Sequence, residues 1–284
     1  MGELLMGTSG WSYKEWTGVF YPSASTSKLS FYSKVFRTAE IDSTFYAYPS
    51  KGLVHGWARN TPDGFVFSAK LPQLITHEKK LDLSKGVEAD LVRFLGVMKP
   101  LIASGKLGPV LVQLPPSFSY ERDSQNLKAF LAEAPEDIRF AVEFRHPSWL
   151  REETWSMLRE RNVATVIVDE PLLPPDVVTT ADFAFVRWHG RGSRPWYNYR
   201  YSSRELEGWV PKVKDLATRV DKTYGYFNNH FRGFAVENSL KMMGMLGAAD
   251  ARQTEAGARA EDFLEGRIGG GERSMLEFMG EGGA

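Results

Sequence analysis

The chain has 284 residues with 35 basic and 35 acidic side chains, and its 43% hydrophobic and 13% aromatic content argues against disorder, a fibrous protein and a histone-like polycation. The absence of cysteine excludes a disulfide scaffold, thiolate zinc or iron–sulfur sites and a cysteine nucleophile. No apolar run reaches the roughly 18 residues of a membrane-spanning helix. The start, Met1 to Gly7, has neither a basic region nor a signal-peptide segment, so a cytoplasmic protein with no membrane partner is expected.

Short apolar runs alternate with helical patterns along the chain. The runs Leu4 to Thr8, Thr38 to Thr44, Phe65 to Leu71, Pro109 to Leu114, Phe140 to Phe144, Ala164 to Val168, Phe183 to Trp188 and Tyr224 to Phe227 read as eight strands. Between the second and third, Leu53, Val54 and Trp57 mark a short helix. Ser84 to Ile102 carries Val87, Leu91, Phe94, Leu95 and Met98 on one helical face. Asp123, Ser148 and Ser203 are expected helix caps, the last opening a long helix through Leu206, Val210, Val213 and Leu216. Leu240 to Leu246 supports a further helix. Eight such units predict an α/β fold, a single TIM-like (β/α)8 barrel over 1–249. A doubly wound open sheet is the alternative, but no Gly-x-Gly-x-x-Gly turn follows the first strand. Residues 250–284 hold eight glycines and are expected to form a flexible Gly/Glu-rich tail, with a short helix around Glu255 to Leu264.

Strand ends are where a barrel presents chemistry. The fifth strand ends in Glu143, followed by Arg145 on the same face, and the seventh pairs Arg187 with His189 in the same way. Lys70, Gln113, Asp169 and Asn228-Asn229 close the third, fourth, sixth and eighth strands, with His77 in a nearby rim segment. Charges converging on a barrel end need partners or ligands, because burying them unpaired costs several kcal/mol. Glu143, His189 and Asp169 are therefore the expected catalytic groups. Glu143 would handle a proton and His189 would shuttle one near neutral pH. Lys70 and Arg187 would hold phosphate or a developing oxyanion. For Glu40, Asp42 and Arg145 a purely structural reading is as strong. Between residues 187 and 204 lie five arginines, including Arg191 and Arg194, and five large aromatics, including Trp196 and Tyr197, with no acidic residue. That composition suits stacked bases and phosphate, or else a lid packed on the rim. Glu143, Asp169 and His189 could hold a single divalent metal. With five histidines and no His-Glu-x-x-His motif, however, no metal or other cofactor is expected.

Taken together, Gly7-Thr-Ser-Gly10-Trp11, Trp16-x-Gly18-x-Phe20-Tyr21-Pro22, Glu40-x-x-x-Thr44-Phe45-Tyr46 and Lys70-Leu-Pro72 with His77 form the first half of a motif set. Gln113-Leu-Pro-Pro116, Glu143-Phe-Arg-His-Pro-Ser-Trp149, Arg187-Trp-His-Gly190 and Asn228-Asn229 with Ala235 and Asn238 complete it. The set resembles the family called domain of unknown function 72. This resemblance implies a TIM-like barrel with no assigned reaction. The family's barrel is similar to that of metal-dependent apurinic endonucleases, but this chain lacks their histidine-rich ligand set. Asp42 stands where the family is expected to show asparagine.

The expected function is a hydrolase or lyase acting on a phosphate-containing ligand, with nucleic acid as the preferred class. The alternatives are a non-catalytic nucleic-acid-binding or repair-accessory barrel and a sugar or sugar-phosphate enzyme. Leu276 and Phe278 in the tail resemble the apolar anchors of a sliding-clamp docking peptide, although its glutamine is missing, so the clamp is an expected partner through that segment.

Overall fold

A computed structural model describes residues 2–192 and 195–269. Along the chain run β1 (Glu3–Thr8), α1 (Lys28–Val35), β2 (Thr38–Ile41), α2 (Lys51–Arg59), β3 (Val66–Lys70), α3 (Val87–Ala103), β4 (Leu107–Gln113) and α4 (Tyr120–Glu133). There follow β5 (Phe140–Glu143), α5 (Glu152–Arg159), β6 (Ala164–Asp169), β7 (Phe183–Trp188), α6 (Ser203–Arg219), β8 (Lys222–Phe227), α7 (Phe234–Leu246) and α8 (Ala251–Leu264). Every strand pairing is parallel, in the ladder order β1-β8-β7-β6-β5-β4-β3-β2. The expected (β/α)8 barrel is the observed fold. Its β6–β7 connection contains no helix, matching the irregular stretch there in the sequence.

The barrel closes at the β1–β2 seam by a different device. One parallel bridge, Ser9–Glu40, joins the two strands, with Gly10 N–H donating to the Glu40 carbonyl at 2.8 Å. Below it the Tyr32 phenol from α1 stands in for a ladder rung. Its oxygen accepts from Thr8 N–H at 3.0 Å, and its O–H donates to the Thr38 carbonyl at 3.0 Å. Gly7 allows this approach, because a Cβ there would sit 2.3 Å from the Thr38 carbonyl oxygen. The phenol is fully buried, and burial raises its pKa, so it remains a neutral donor.

Strand alternation sorts the apolar residues into two layers. Leu5, Leu111, Ala141, Val166, Val168, Phe185, Tyr224 and Tyr226 share the barrel interior, while Met6, Phe67, Val112, Val142, Ile167, Val186 and Phe227 pack outward with the helices. Helix starts differ from expectation in detail. Ser119 occupies the N-cap of α4 without a side-chain capping bond, and Asp123, inside the helix, accepts from the Ser119 N–H at 2.8 Å. Arg151 occupies the N-cap of α5, and Ser148 accepts from the Tyr120 N–H at 2.9 Å. Ser202, not Ser203, caps α6 through a reciprocal pair with Glu205. Packing also continues beyond residue 249. Ala256 and Ala260 of α8 are buried, and Gln253 donates to the Val35 carbonyl at 2.8 Å. The clamp-like residues Leu276 and Phe278 lie outside the described residues. Among the described residues no helix is long and apolar enough to cross a membrane.

Removing the Tyr32 hydroxyl (Tyr32→Phe) strips the seam of its rung and leaves the Thr8 N–H without an acceptor, a loss of about 1–3 kcal/mol. Urea unfolding should show a lower midpoint at unchanged slope. Gly7→Val should cost more, because it also forces β1 away from β2.

Candidate functional site

The two-residue period of β7 carries Phe183 and Phe185 into the barrel interior and continues inward to Arg187 and His189. Arg187 is the centre of a buried charge layer. Its Nη1 donates to Glu143 Oε2 of β5 at 2.6 Å, and its Nη2 donates to Glu40 Oε1 of β2 at 2.6 Å. Both carboxylates are fully buried and the Arg187 side chain is 2% exposed. Ser9 Oγ donates to Glu40 at 2.5 Å, and Gln113 Nε2 to Glu143 Oε1 at 2.6 Å. Arg145 donates through Nε to Glu143 at 2.6 Å and through Nη1 to Glu170. Three arginine–carboxylate contacts therefore cross between strands at the barrel mouth.

These contacts set the protonation states. Burial works to raise the Glu143 carboxyl, but the Arg145 and Arg187 guanidiniums outweigh it and hold it well below the usual carboxylate range. Burial, reinforced by the same two guanidiniums, lowers the His189 pKa to about 3. Arg145 Nη2 lies 2.9 Å and Arg187 Nη1 3.3 Å from His189 Nε2. Guanidiniums only donate, so Nε2 accepts and the ring proton sits on Nδ1. The Asn228 amide nitrogen is placed 2.9 Å from Nδ1, and turning the amide over, which exchanges two nearly isosteric atoms, lets its oxygen accept that proton. In this setting burial and the two guanidiniums favour the neutral imidazole at pH 7. Glu143 is favoured in its ionised form by the same guanidiniums and anchors this layer.

Above this layer opens a pocket of about 540 Å³ at the C-terminal ends of the strands. Ser9, Asp42, Lys70, Gln113, Arg145, His189 and Asn228 face it, one from each of seven strand ends, while Leu172 from the β6–β7 loop fills the eighth sector. Lys70 is half-buried. Its amine makes no hydrogen bond or ion pair among the described residues and rests over the Phe45 ring, 3.7 Å from the centroid. Burial, then the nearby Arg187 charge, lowers its pKa to about 8. His77 meets the same ring edge-on at 4.9 Å. Burial and the Lys70 charge lower its pKa to about 4. Tyr46 (75% exposed), Leu172 (63%) and Tyr197 (38%) stand at the rim.

Lys70, His77, Gln113, Arg145, Arg187, His189, Trp196, Tyr197 and Asn228 all border the pocket, and Glu143 lies directly beneath it. Three expected site residues do not. Asp169 faces outward, because Val166 and Val168 take the inward positions of β6. It accepts from Trp209 Nε1 of α6 at 2.8 Å and from Arg191 Nε at 2.8 Å. Arg191 is thereby turned to the helix layer. Asn229 is also outward and buried, donating to the Tyr199 carbonyl and to Asn238 Oδ1 at 2.8 Å each. Arg200 pairs with Glu237 at 3.3 Å. Arg194 lies outside the described residues. The sequence reading missed Ser9 and Glu170. Glu170 was detectable, since the inward period of β6 that excludes Asp169 leads to it. Among the described residues no cluster of three or more His, Asp or Glu side chains is arranged to hold a metal ion.

A closed parallel barrel with a polar pocket at its C-terminal mouth defines the general class. The sequence profile described as "Protein of unknown function DUF72" matches residues 5–261, and the chain belongs to that family. It is 28% identical over 268 residues to the UPF0759 protein YunF of Bacillus subtilis (strain 168), covering 86% of this chain and 94% of that protein. With the UPF0759 protein YecE of Escherichia coli (strain K12) it shares 30% identity over 171 residues, 58% of this chain and 59% of the relative. Among solved structures, a DUF72 family protein of Thermotoga maritima MSB8 superposes with TM-score 0.79 at 36% identity, over 86% of this chain and 99% of the other. One from Enterococcus faecalis V583 superposes with TM-score 0.76 at 24% identity, over 87% and 96%.

Arg187→Met leaves Glu40 buried without a cationic partner and Glu143 with Arg145 alone, and should cost about 3–5 kcal/mol in chemical denaturation. Adding Glu40→Gln and Glu143→Gln should recover part of that loss. Acidification has a predictable sign. In the unfolded chain His189 titrates near 6.5, in the folded protein near 3, so between these values the unfolded state takes up the extra proton and stability falls as pH drops. Glu143, lowered by folding, adds a loss in the same direction below its ordinary 4.5. Thermal melts from neutral pH downward should show this decline, and His189→Asn should flatten its upper part.

Proposed function

We propose that this protein is an enzyme of small-molecule metabolism, of lyase type. Its substrate is an oxygen-rich metabolite such as a sugar, a sugar acid or its phosphate. The observation that carries this reading is the open-mouthed pocket of about 540 Å³ on a floor of mutually paired charges. Such a volume suits a small metabolite. Gln113, Asn228 and Arg145 offer donors and acceptors to hydroxyl, carbonyl or carboxylate oxygens, and Asp42 offers an acceptor. Trp196 and Tyr197 supply flat apolar surface at the mouth, suited to a sugar face.

The nucleic-acid reading is disfavoured on the same grounds. A strand would draw on the arginines between 187 and 204 as phosphate contacts, yet Arg187, Arg191 and Arg200 are engaged by Glu40, Glu143, Asp169 and Glu237. Rigid, paired floor groups fit a pre-organised small-molecule site, in which side chains must hold their geometry without ligand.

Titration calorimetry against sugars, sugar phosphates and small oxo acids, with a single-stranded oligonucleotide run at low and physiological salt, tests the reading. Binding of at least one small molecule is expected, weakened about tenfold or more by Gln113→Ala or Asn228→Ala, as for loss of a polar contact. Salt-sensitive oligonucleotide binding with no small-molecule binding would overturn it.

A further inference from the structure

We infer that the Lys70 amine is a nucleophile that forms a covalent imine with a small aldehyde or ketone held in this pocket. The inference rests on the small-molecule reading above and deepens it by naming the reacting group and the carbonyl class of substrate.

Lys70 differs from the other cations at the barrel mouth. Arg145, Arg187 and Arg191 each donate to at least one buried carboxylate at close range. Among the described residues the Lys70 amine makes no hydrogen bond or ion pair and lies over the face of Phe45. Its backbone is firmly held. Lys70 ends β3 in register with Leu111 of β4, and its carbonyl accepts from Thr44 Oγ1 at 2.6 Å. A fixed backbone and an aromatic ring facing the amine limit where it can travel, which is what a nucleophile requires.

The surroundings also favour the neutral form. Burial and the adjacent guanidiniums disfavour a third positive charge in one small space, and the pKa falls to about 8. Near pH 7 about a tenth of the amine is then neutral, against well below a hundredth for an ordinary lysine. A desolvated lysine beside other cations is a known way to obtain a reactive amine at neutral pH. If the site merely held an anion, a carboxylate-free, fully protonated lysine would serve better, and nothing would be gained by lowering its pKa.

The step balances without a cofactor. The neutral amine attacks the carbonyl carbon, forming a C–N bond while the carbonyl π pair moves to oxygen. A proton passes from nitrogen to that oxygen, giving a carbinolamine. The C–O bond then breaks, the hydroxyl takes up a proton and leaves as water, and a positively charged iminium remains. Relative to the protonated amine, one water is lost and the charge is unchanged. The iminium can accept the electron pair of a neighbouring C–C or C–H bond, which is the chemistry a lyase needs. Gln113 and Asn228 are placed on the pocket wall to hold the hydroxyls of the remaining chain.

The test uses the full-length protein with pyruvate or glyceraldehyde and sodium cyanoborohydride, read by intact mass and peptide mapping. Reductive trapping is expected at Lys70 about tenfold or more faster than at the exposed Lys51, with the rate rising as pH is raised toward 8. Lys70→Arg keeps the charge and should abolish the adduct. Labelling of Lys70 no faster than Lys51 overturns the inference, and this comparison within the wild-type protein stands even if a variant fails to fold. Calorimetry on Lys70→Arg and Lys70→Met separates the two readings. Pyruvate binding kept by Arg, lost with Met and accompanied by no adduct in the wild type would make Lys70 an anion holder, leaving the small-molecule pocket intact. Absence of any small-molecule binding would overturn both.

Discussion

The mouth of this barrel is organised around one side chain carrying one charge between two carboxylates. Arg187 leaves β7 and reaches Glu143 on β5 and Glu40 on β2, tying three strands that the backbone ladder does not place side by side. The seam between β1 and β2 has a single backbone bridge and depends on a phenol for support, so a charge clamp that engages β2 from across the barrel has structural work to do there. Ser9 on β1 donates to the same Glu40, which brings the fourth strand of that region into the clamp.

The clamp also decides which groups retain chemical freedom. A guanidinium bonded to two carboxylates holds its charge at any accessible pH, and its field helps lower the pKa of Glu143, His189 and Lys70. His189 and Lys70 feel the same positive field with different outcomes. The histidine becomes a neutral acceptor far from its titration range. The lysine, starting from a much higher pKa, is brought down toward the range where proton loss matters. One electrostatic arrangement thus lowers both pKa values, with opposite effects on how readily each group can exchange a proton near neutrality.

The arginine- and aromatic-rich stretch from 187 to 204 illustrates how composition misleads when partners are remote in sequence. It contains no acid of its own and looks like a phosphate-binding surface. Its partners come from other elements, Asp169 at the end of β6 and Glu237 in α7. The aromatics divide in the same manner. Tyr201 is buried and accepts from the Gly190 N–H at 2.9 Å, while Tyr197 stacks on His230 at the rim. Arg187, Trp188 and Tyr201 of this apparent ligand surface are buried scaffolding.

The sequence alone determined the barrel, because eight strand-length apolar runs separated by amphipathic helices can bury their faces in few other ways, and the resemblance to a known barrel family agreed. It also placed Glu143, Arg187 and His189 near strand ends, with Arg187 and His189 on one face by the two-residue strand period, without saying whether their side chains meet. The same period, applied strictly to β6 and β8, separates Glu170 and Asn228 from Asp169 and Asn229, so that part was legible as well. Only the tertiary structure decided pairing across the barrel. Glu40 and Arg187 are far apart in the chain, and no local pattern states that their side chains meet at 2.6 Å. Protonation follows from that meeting, because a pKa depends on distances to charges and on exclusion of water, both properties of the closed barrel and not of any single strand.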